Sequence, residues 1–185
     1  MNYVRENTFT IVPAMIKRIN KTNGYTTEIV FSFQDVMNNK QLLIIKEEVK
    51  NEFNKLIRKI NNIITTNRPS NIPRKDVWKI GHFIIEERKK IANNYGIDIT
   101  NIIEAVAEEL DLSGTSISYM VKFSDMLPIN KVNEKISWGK YQEAMKLINR
   151  TDFNQCITLI KKGKLKTTKE IRSYVRQKNK ESRAN

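Results

Sequence analysis

Glu104-Ala-Val-Ala-Glu-Glu-Leu-Asp-Leu-Ser-Gly-Thr-Ser-Ile-Ser-Tyr-Met-Val-Lys122 is the stretch that decides the fold. Two short helices joined by a tight turn need a small residue where they approach, a bend, and apolar anchors on the second helix. Ala107 is the small residue. Leu110 and Leu112 flank the bend, and Ile117, Met120 and Val121 form a buried face at helical spacing. The bend position falls on Asp111, where glycine is the more common choice because the backbone there turns left-handed. The segment reads as a helix-turn-helix within a mainly α chain. Two helices in an ordinary α bundle would share this pattern, so the motif is weighed with what surrounds it.

Working outward, Thr115, Ser116, Ser118, Tyr119 and Lys122 remain on the outward side of the second helix. Ser113 and Gly114 stand at its N-terminus, where free N–H groups can hold a phosphate. The first helix is acidic, with Glu104, Glu108, Glu109 and Asp111. Positive charge therefore has to come from elsewhere, and the chain has it: 33 Lys and Arg against 20 Asp and Glu, a net charge of +13. Residues 161–185 hold ten Lys or Arg against Glu170 and Glu181. Lys164, Lys166, Lys169, Arg172 and Arg176 are the candidate phosphate contacts there, because cations along a helix track a polyanion without reading its sequence.

Downstream of the motif, helices are expected over Ser137–Asn149, Asp152–Lys162 and Thr168–Lys178, with Gly163 as a C-terminal cap, Thr167 or Thr168 opening the last one, and a disordered tail from Lys178. Upstream, Lys75–Asn94 and a helix capped by Thr100 and running to Leu110 complete the set. Two prolines in Arg68-Pro-Ser-Asn-Ile-Pro73 mark a linker. Before it, Leu42, Ile45, Val49, Phe53, Leu56, Ile60 and Ile63 form one helical stripe that packs on the rest of the chain or on a second copy. Strand character is confined to Thr8–Val12 and Thr26–Phe33. Asn23-Gly24 lies between them, too far from the first run for a two-residue hairpin. The division expected is a β/helical region over 1–67 serving dimerisation, a linker over 68–73, a helix-turn-helix domain over 74–163 and a basic extension over 164–185. The fold class is a helix-turn-helix multi-helix domain preceded by a small β element and a long amphipathic helix.

Residues 76–175 resemble the helical N-terminal module of the YhcG-like predicted nucleases. The resemblance rests on Trp78-Lys-Ile-Gly81, Ile103–Leu110, Ser116-Ile-Ser-Tyr-Met-Val-Lys-Phe123, Pro128 and Ser137-Trp-Gly-Lys-Tyr141. Thr100–Val175 is also similar, more generically, to the ParB-type helix-turn-helix domain. The resemblance implies a DNA-binding module. The nuclease domain that follows it in that family has no counterpart after residue 175, so catalysis is not carried over.

Other chemistry is sparse. Asp35 with Glu48-Val-Lys50 has the spacing of a metal-dependent nuclease site, but such a Glu-x-Lys belongs on a buried strand and here the helical stripe runs through it. A continuous helix over 42–63 would dispose of that alternative. His82 is the only histidine and Cys156 the only cysteine, so neither zinc spacing nor a disulfide is available. Trp78 and Trp138 read as core anchors. No cofactor, metal or small-molecule ligand is expected. No run of 18 apolar residues or signal-peptide core is evident, which with the lone thiol suggests the cytoplasm. The expectation is a non-enzymatic, homodimeric protein that binds double-stranded DNA, a transcriptional regulator or a replication or partition accessory factor of a mobile element. A subunit that binds only other proteins is the remaining alternative.

Overall fold

The computed structural model describes residues 11–21, 24–31, 39–66 and 72–184, in the order β1 (Val12–Lys21), β2 (Gly24–Phe31), α1 (Asn39–Thr66), α2 (Arg74–Tyr95), β3 (Ile97–Ile99), α3 (Ile102–Glu109), α4 (Gly114–Met126), a 3-10 turn (Ile129–Lys131), α5 (Trp138–Ala144), α6 (Arg150–Lys161) and α7 (Thr168–Ala184). The fold is mainly α with a small N-terminal β element. The chain forms two compact units. The first takes residues 1–61 and 83–114, the second residues 62–82 and 115–185. α1 and α2 each contribute to both units. Within residues 164–185, α7 packs on α5 and α6.

In the first unit a three-stranded sheet has the order β2-β1-β3, antiparallel between β1 and β2 and parallel between β1 and β3. The register Lys21↔Gly24 leaves only residues 22 and 23 between β1 and β2, so the pair is a short hairpin after all. β1 runs on well past Val12 because Ala14 and Ile16 alternate with exposed Met15 and Lys17, the period-two pattern of a half-covered strand. Of the expected strand segments, Thr8–Thr10 and Ser32–Phe33 lie outside the described residues. The Ile-Asp-Ile of β3 has the same alternation, with Ile97 and Ile99 fully buried. Asn101 opens α3 without a side-chain cap. Its amide instead donates to the Ile16 carbonyl (2.8 Å) and accepts from the Ile16 N–H (2.9 Å), fixing α3 to β1. Thr100, the expected cap, donates to the Ala14 carbonyl at 3.2 Å.

The α1 stripe is satisfied within the chain. Val49, Phe53, Leu56 and Ile60 have no exposed surface, and Ile45 and Ile63 are half-buried; the side chain of Leu42 lies outside the described ones. Those four residues are therefore not a free dimer seam. Glu52, buried on the same helix, pairs with Lys55 (2.9 Å) and with Lys90 of α2. Hydrogen bonds from Lys55 and then Lys90 outweigh burial and hold the Glu52 carboxyl down at about 2. Its neighbour Glu87 goes the other way: burial raises its pKa against the pull of Lys90, and one of its oxygens is buried without a hydrogen bond.

α1 is continuous through Glu48-Val49-Lys50, with Val49 buried, Glu48 exposed and Lys50 near Glu47 (3.8 Å). A strand-borne metal site of Asp35, Glu48 and Lys50 is ruled out by that helix; Asp35 itself lies outside the described residues. Among the described residues no cluster of three His, Cys, Asp or Glu side chains could hold a metal ion, and no helix is long and apolar enough to cross a membrane.

Every regular element among the described residues of the second unit is a helix. Its core is Phe123, Tyr141, Phe153, Cys156 and Ile157 with Val77, Ile80 and Ile171. Phe123 meets Trp138 edge-on (5.3 Å between centroids) and Tyr141 at 4.7 Å. Burial pushes the Cys156 thiol up to about 12, which keeps it protonated and inert.

Candidate nucleic-acid interface

The turn after α3 has a defined geometry. Leu112 N–H donates to the Ala107 carbonyl (2.9 Å) and Asp111 N–H approaches the Glu108 carbonyl (3.5 Å), the paired bonds of a Schellman motif. Its pivot is Asp111, whose φ of 53° is the positive value the sequence pattern demanded. Leu110 and Leu112 are half-buried, less enclosed than anchors were expected to be, whereas Ala107 is buried. Glu109 accepts from Thr27 (3.1 Å), and Arg18 donates to the Glu108 carbonyl (3.3 Å). These two hydrogen bonds tie the end of α3 to the hairpin.

α4 begins at Gly114 and buries Ile117, Met120 and Phe123; Val121, expected inside, is half-buried. Thr115, Ser118, Tyr119 and Lys122 fall at i, i+3, i+4 and i+7, a single face. Thr115, Ser118 and Lys122 are exposed and Tyr119 is half-buried. Ser113 is exposed just before the helix, while Gly114 and Ser116 are half-buried.

What holds α4 in the second unit is the first half of α2. A Cβ on Gly81 would lie 2.0 Å from the Met120 carbonyl oxygen, so only glycine lets the two backbones approach this closely. One turn earlier, Trp78 Nε1 donates to the Leu127 carbonyl at 2.6 Å and the indole stacks on His82 (4.6 Å). Trp78 is therefore a half-buried clamp with its N–H satisfied.

α7 opens with a reciprocal cap: Glu170 N–H donates to Thr167 Oγ1 (3.2 Å), and the Glu170 carboxylate accepts from the N–H groups of Thr167 (2.9 Å) and Lys166 (2.6 Å). Gly163, at φ 70°, ends the preceding helix as expected. Lys164 and Lys166 are exposed in the loop between them, and Lys169 and Arg176 are exposed on α7. Arg172, also exposed, is ion-paired within the chain. Its guanidinium donates from Nε (3.1 Å) and Nη2 (3.4 Å) to the buried Glu143 carboxylate, which Lys146 also meets at 2.9 Å. Burial raises the Glu143 pKa, but these two cations outweigh it and leave it below the usual carboxylate range. Arg172 ties α7 to α5.

α7 also continues six residues beyond Lys178, through what composition alone marked as a disordered tail. Arg183, left outside the candidates for that reason, has helical spacing from Arg176 and Lys180. Arg176, Asn179, Lys180 and Arg183 line a shallow depression of about 320 Å³.

Counting charge by unit separates the two parts of the chain. The first carries 13 Lys and Arg and 13 Asp and Glu; the second carries 20 against 7, a net +13. No family model, curated protein or solved structure matches the chain.

Proposed function

We propose that the chain binds double-stranded DNA through its second unit, with α4 as the helix that reads base edges. The observation that carries this reading is the charge count: the whole net charge of +13 resides in the unit that contains α4 and α7. A concentration of positive charge on one part of a protein favours a polyanionic partner. The face of Thr115, Ser118, Tyr119 and Lys122 is polar and suited to hydrogen bonding in a major groove, and the left-handed turn at Asp111 before α4 is the bend a helix-turn-helix requires. A relationship to the helical module of YhcG-like predicted nucleases, and more generically to ParB-type domains, is part of the same proposal. Two residues of that resemblance, Trp78 and Gly81, are those that hold α2 against α4.

Few side chains on α4 can reach bases, so a homodimer on paired half-sites is part of the proposal. The buried residues of the α1 stripe are not its seam. A transcriptional regulator or a replication or partition accessory factor of a mobile element, working in the cytoplasm without catalysis, is the role proposed.

Selection of bound sequences from a random duplex pool tests the reading. A defined consensus is expected, and Ser118→Ala or Tyr119→Ala should relax preference at one or two positions, by roughly 1–3 kcal/mol per lost base contact. Recovery of an unenriched pool, or an identical consensus from both variants, would overturn the role given to α4.

A further inference from the structure

Resting on the DNA-binding reading, the geometry of α7 points to a second, separable part of the interface: a line of four cations that tracks the phosphates of one DNA strand regardless of sequence. On a helix of 3.6 residues per turn, Lys169, Arg176, Lys180 and Arg183 fall within about 60° of one another and span about 21 Å along the axis. They lie opposite the side chains that fix the helix in the core, Ile171 and Val175. All four are exposed, and none joins an ion pair among the described residues. The other two cations of α7 are occupied, Arg172 with Glu143 and Lys178 with Glu181 (2.8 Å). The acidic residues Glu170 and Glu181 fall off this line by about 100° or more.

The C-terminal half of the line is held in place. Asn179 Nδ2 donates to the Lys146 carbonyl (2.9 Å), and Asn179 Oδ1 accepts from the Ile148 N–H (3.1 Å). Arg176, Lys180 and Arg183 surround that pinned amide and form the rim of the depression. Their Cα positions are therefore set before any partner arrives, which lowers the ordering cost of binding.

The length of the line selects a polymer over a single small anion, which would meet one or two of these cations at most. A lipid surface fits poorly, because the residues flanking the line are Ser173, Gln177, Arg172 and Asn179, while the apolar side of the helix is already buried. A phosphodiester backbone requires only a row of cations.

The test uses the full chain and two duplexes, one of the selected sequence and one scrambled, with affinity measured by fluorescence anisotropy across a salt series. The variant replaces the four cations with glutamine (K169Q, R176Q, K180Q, R183Q), with its thermal melt checked against the parent. At a slope of about 0.9 per phosphate, losing four contacts should flatten log K against log salt by about 3.6. Between about 50 and about 200 mM salt, the parent should then weaken ~150-fold more than the variant does. The loss should be alike on both duplexes, leaving the ratio between them intact. An unchanged slope in a folded variant would overturn the inference while leaving α4 standing. A flattened slope in a chain that never distinguishes the two duplexes would keep this inference and sink the role of α4. Binding to anionic vesicles, with none to either duplex at low salt, would overturn both.

Discussion

Replacing Gly81 with alanine tests the structural basis of the interface at one atom. The added Cβ would sit 2.0 Å from the Met120 carbonyl oxygen, 2.4 Å from its carbon and 2.8 Å from Val121 nitrogen. Non-bonded heavy atoms prefer roughly 3.5–4.0 Å, so the two backbones must part by about 1.5 Å. The atoms in the way are main chain, and no side-chain rotation can relieve them, which puts the overpacking cost near the upper end of the usual range, about 3 kcal/mol. A separation of that size also takes the Trp78–Leu127 hydrogen bond from 2.6 Å to beyond bonding distance, losing roughly 1 kcal/mol more. Alanine in mid-helix returns about 1 kcal/mol of backbone entropy relative to glycine. The net expectation is a loss of about 3 kcal/mol, read as a lowered urea midpoint at unchanged slope. A variant as stable as the parent, or more stable by the helix-propensity gain, would refute the close approach of α2 and α4.

Two further substitutions probe the turn and the buried carboxylates. Asp111→Gly should stabilise the chain by up to about 1 kcal/mol, because a side chain in the left-handed region costs roughly 1–2 kcal/mol and glycine's extra unfolded-state entropy returns only part of that; a drop in thermal midpoint would argue against the turn as described. Glu87→Gln should stabilise at neutral pH, because a carboxyl whose folded pKa is raised above its ordinary 4.5 costs stability once it is ionised. That gain should shrink as pH falls through the raised value and disappear below about 4.5, and a gain independent of pH would sink the assignment. Glu52 has the opposite sign: its stabilisation is present above the ordinary carboxylate range and is lost as pH falls toward about 2. Glu52→Gln should accordingly destabilise at neutral pH, with the deficit closing in acid.

The parts of the fold written in local spacing were legible. α1, α4 and the Asp111 turn follow from periodicity and from what a bend needs, since neighbouring residues decide both. The errors fall where distant residues decide. β1 holds Lys17 and Arg18, which lower its strand propensity, and it forms because Ala14 and Ile16 meet Phe31 and Ile29 across the hairpin. β3 is three residues long and exists by pairing with Val12–Ala14. α7 continues through a charged tail because Asn179 reaches residues 146–148 on another segment. Arg172 looks like its neighbours in sequence, and only the position of Glu143 on α5 separates a helix clamp from a free cation.

The acidic α3 is the main objection to the proposed DNA binding, and the charge count narrows it. Glu104, Glu108, Glu109 and Asp111 belong to a unit whose 13 acidic residues are matched by 13 basic ones. At physiological salt the screening length is about 8 Å, so acidic residues beyond it act weakly on a phosphate, whereas Asp111, two residues before Ser113, opposes one bound at the start of α4. The other unit has no such balance. Its α4 offers Lys122 as the only cation on the face proposed to read bases, so the proposal assigns readout and affinity to different helices. That division predicts that substitutions on α4 change which sequence is bound, while substitutions on α7 change how steeply binding falls with salt, and a variant on either helix that moved both together would argue against it.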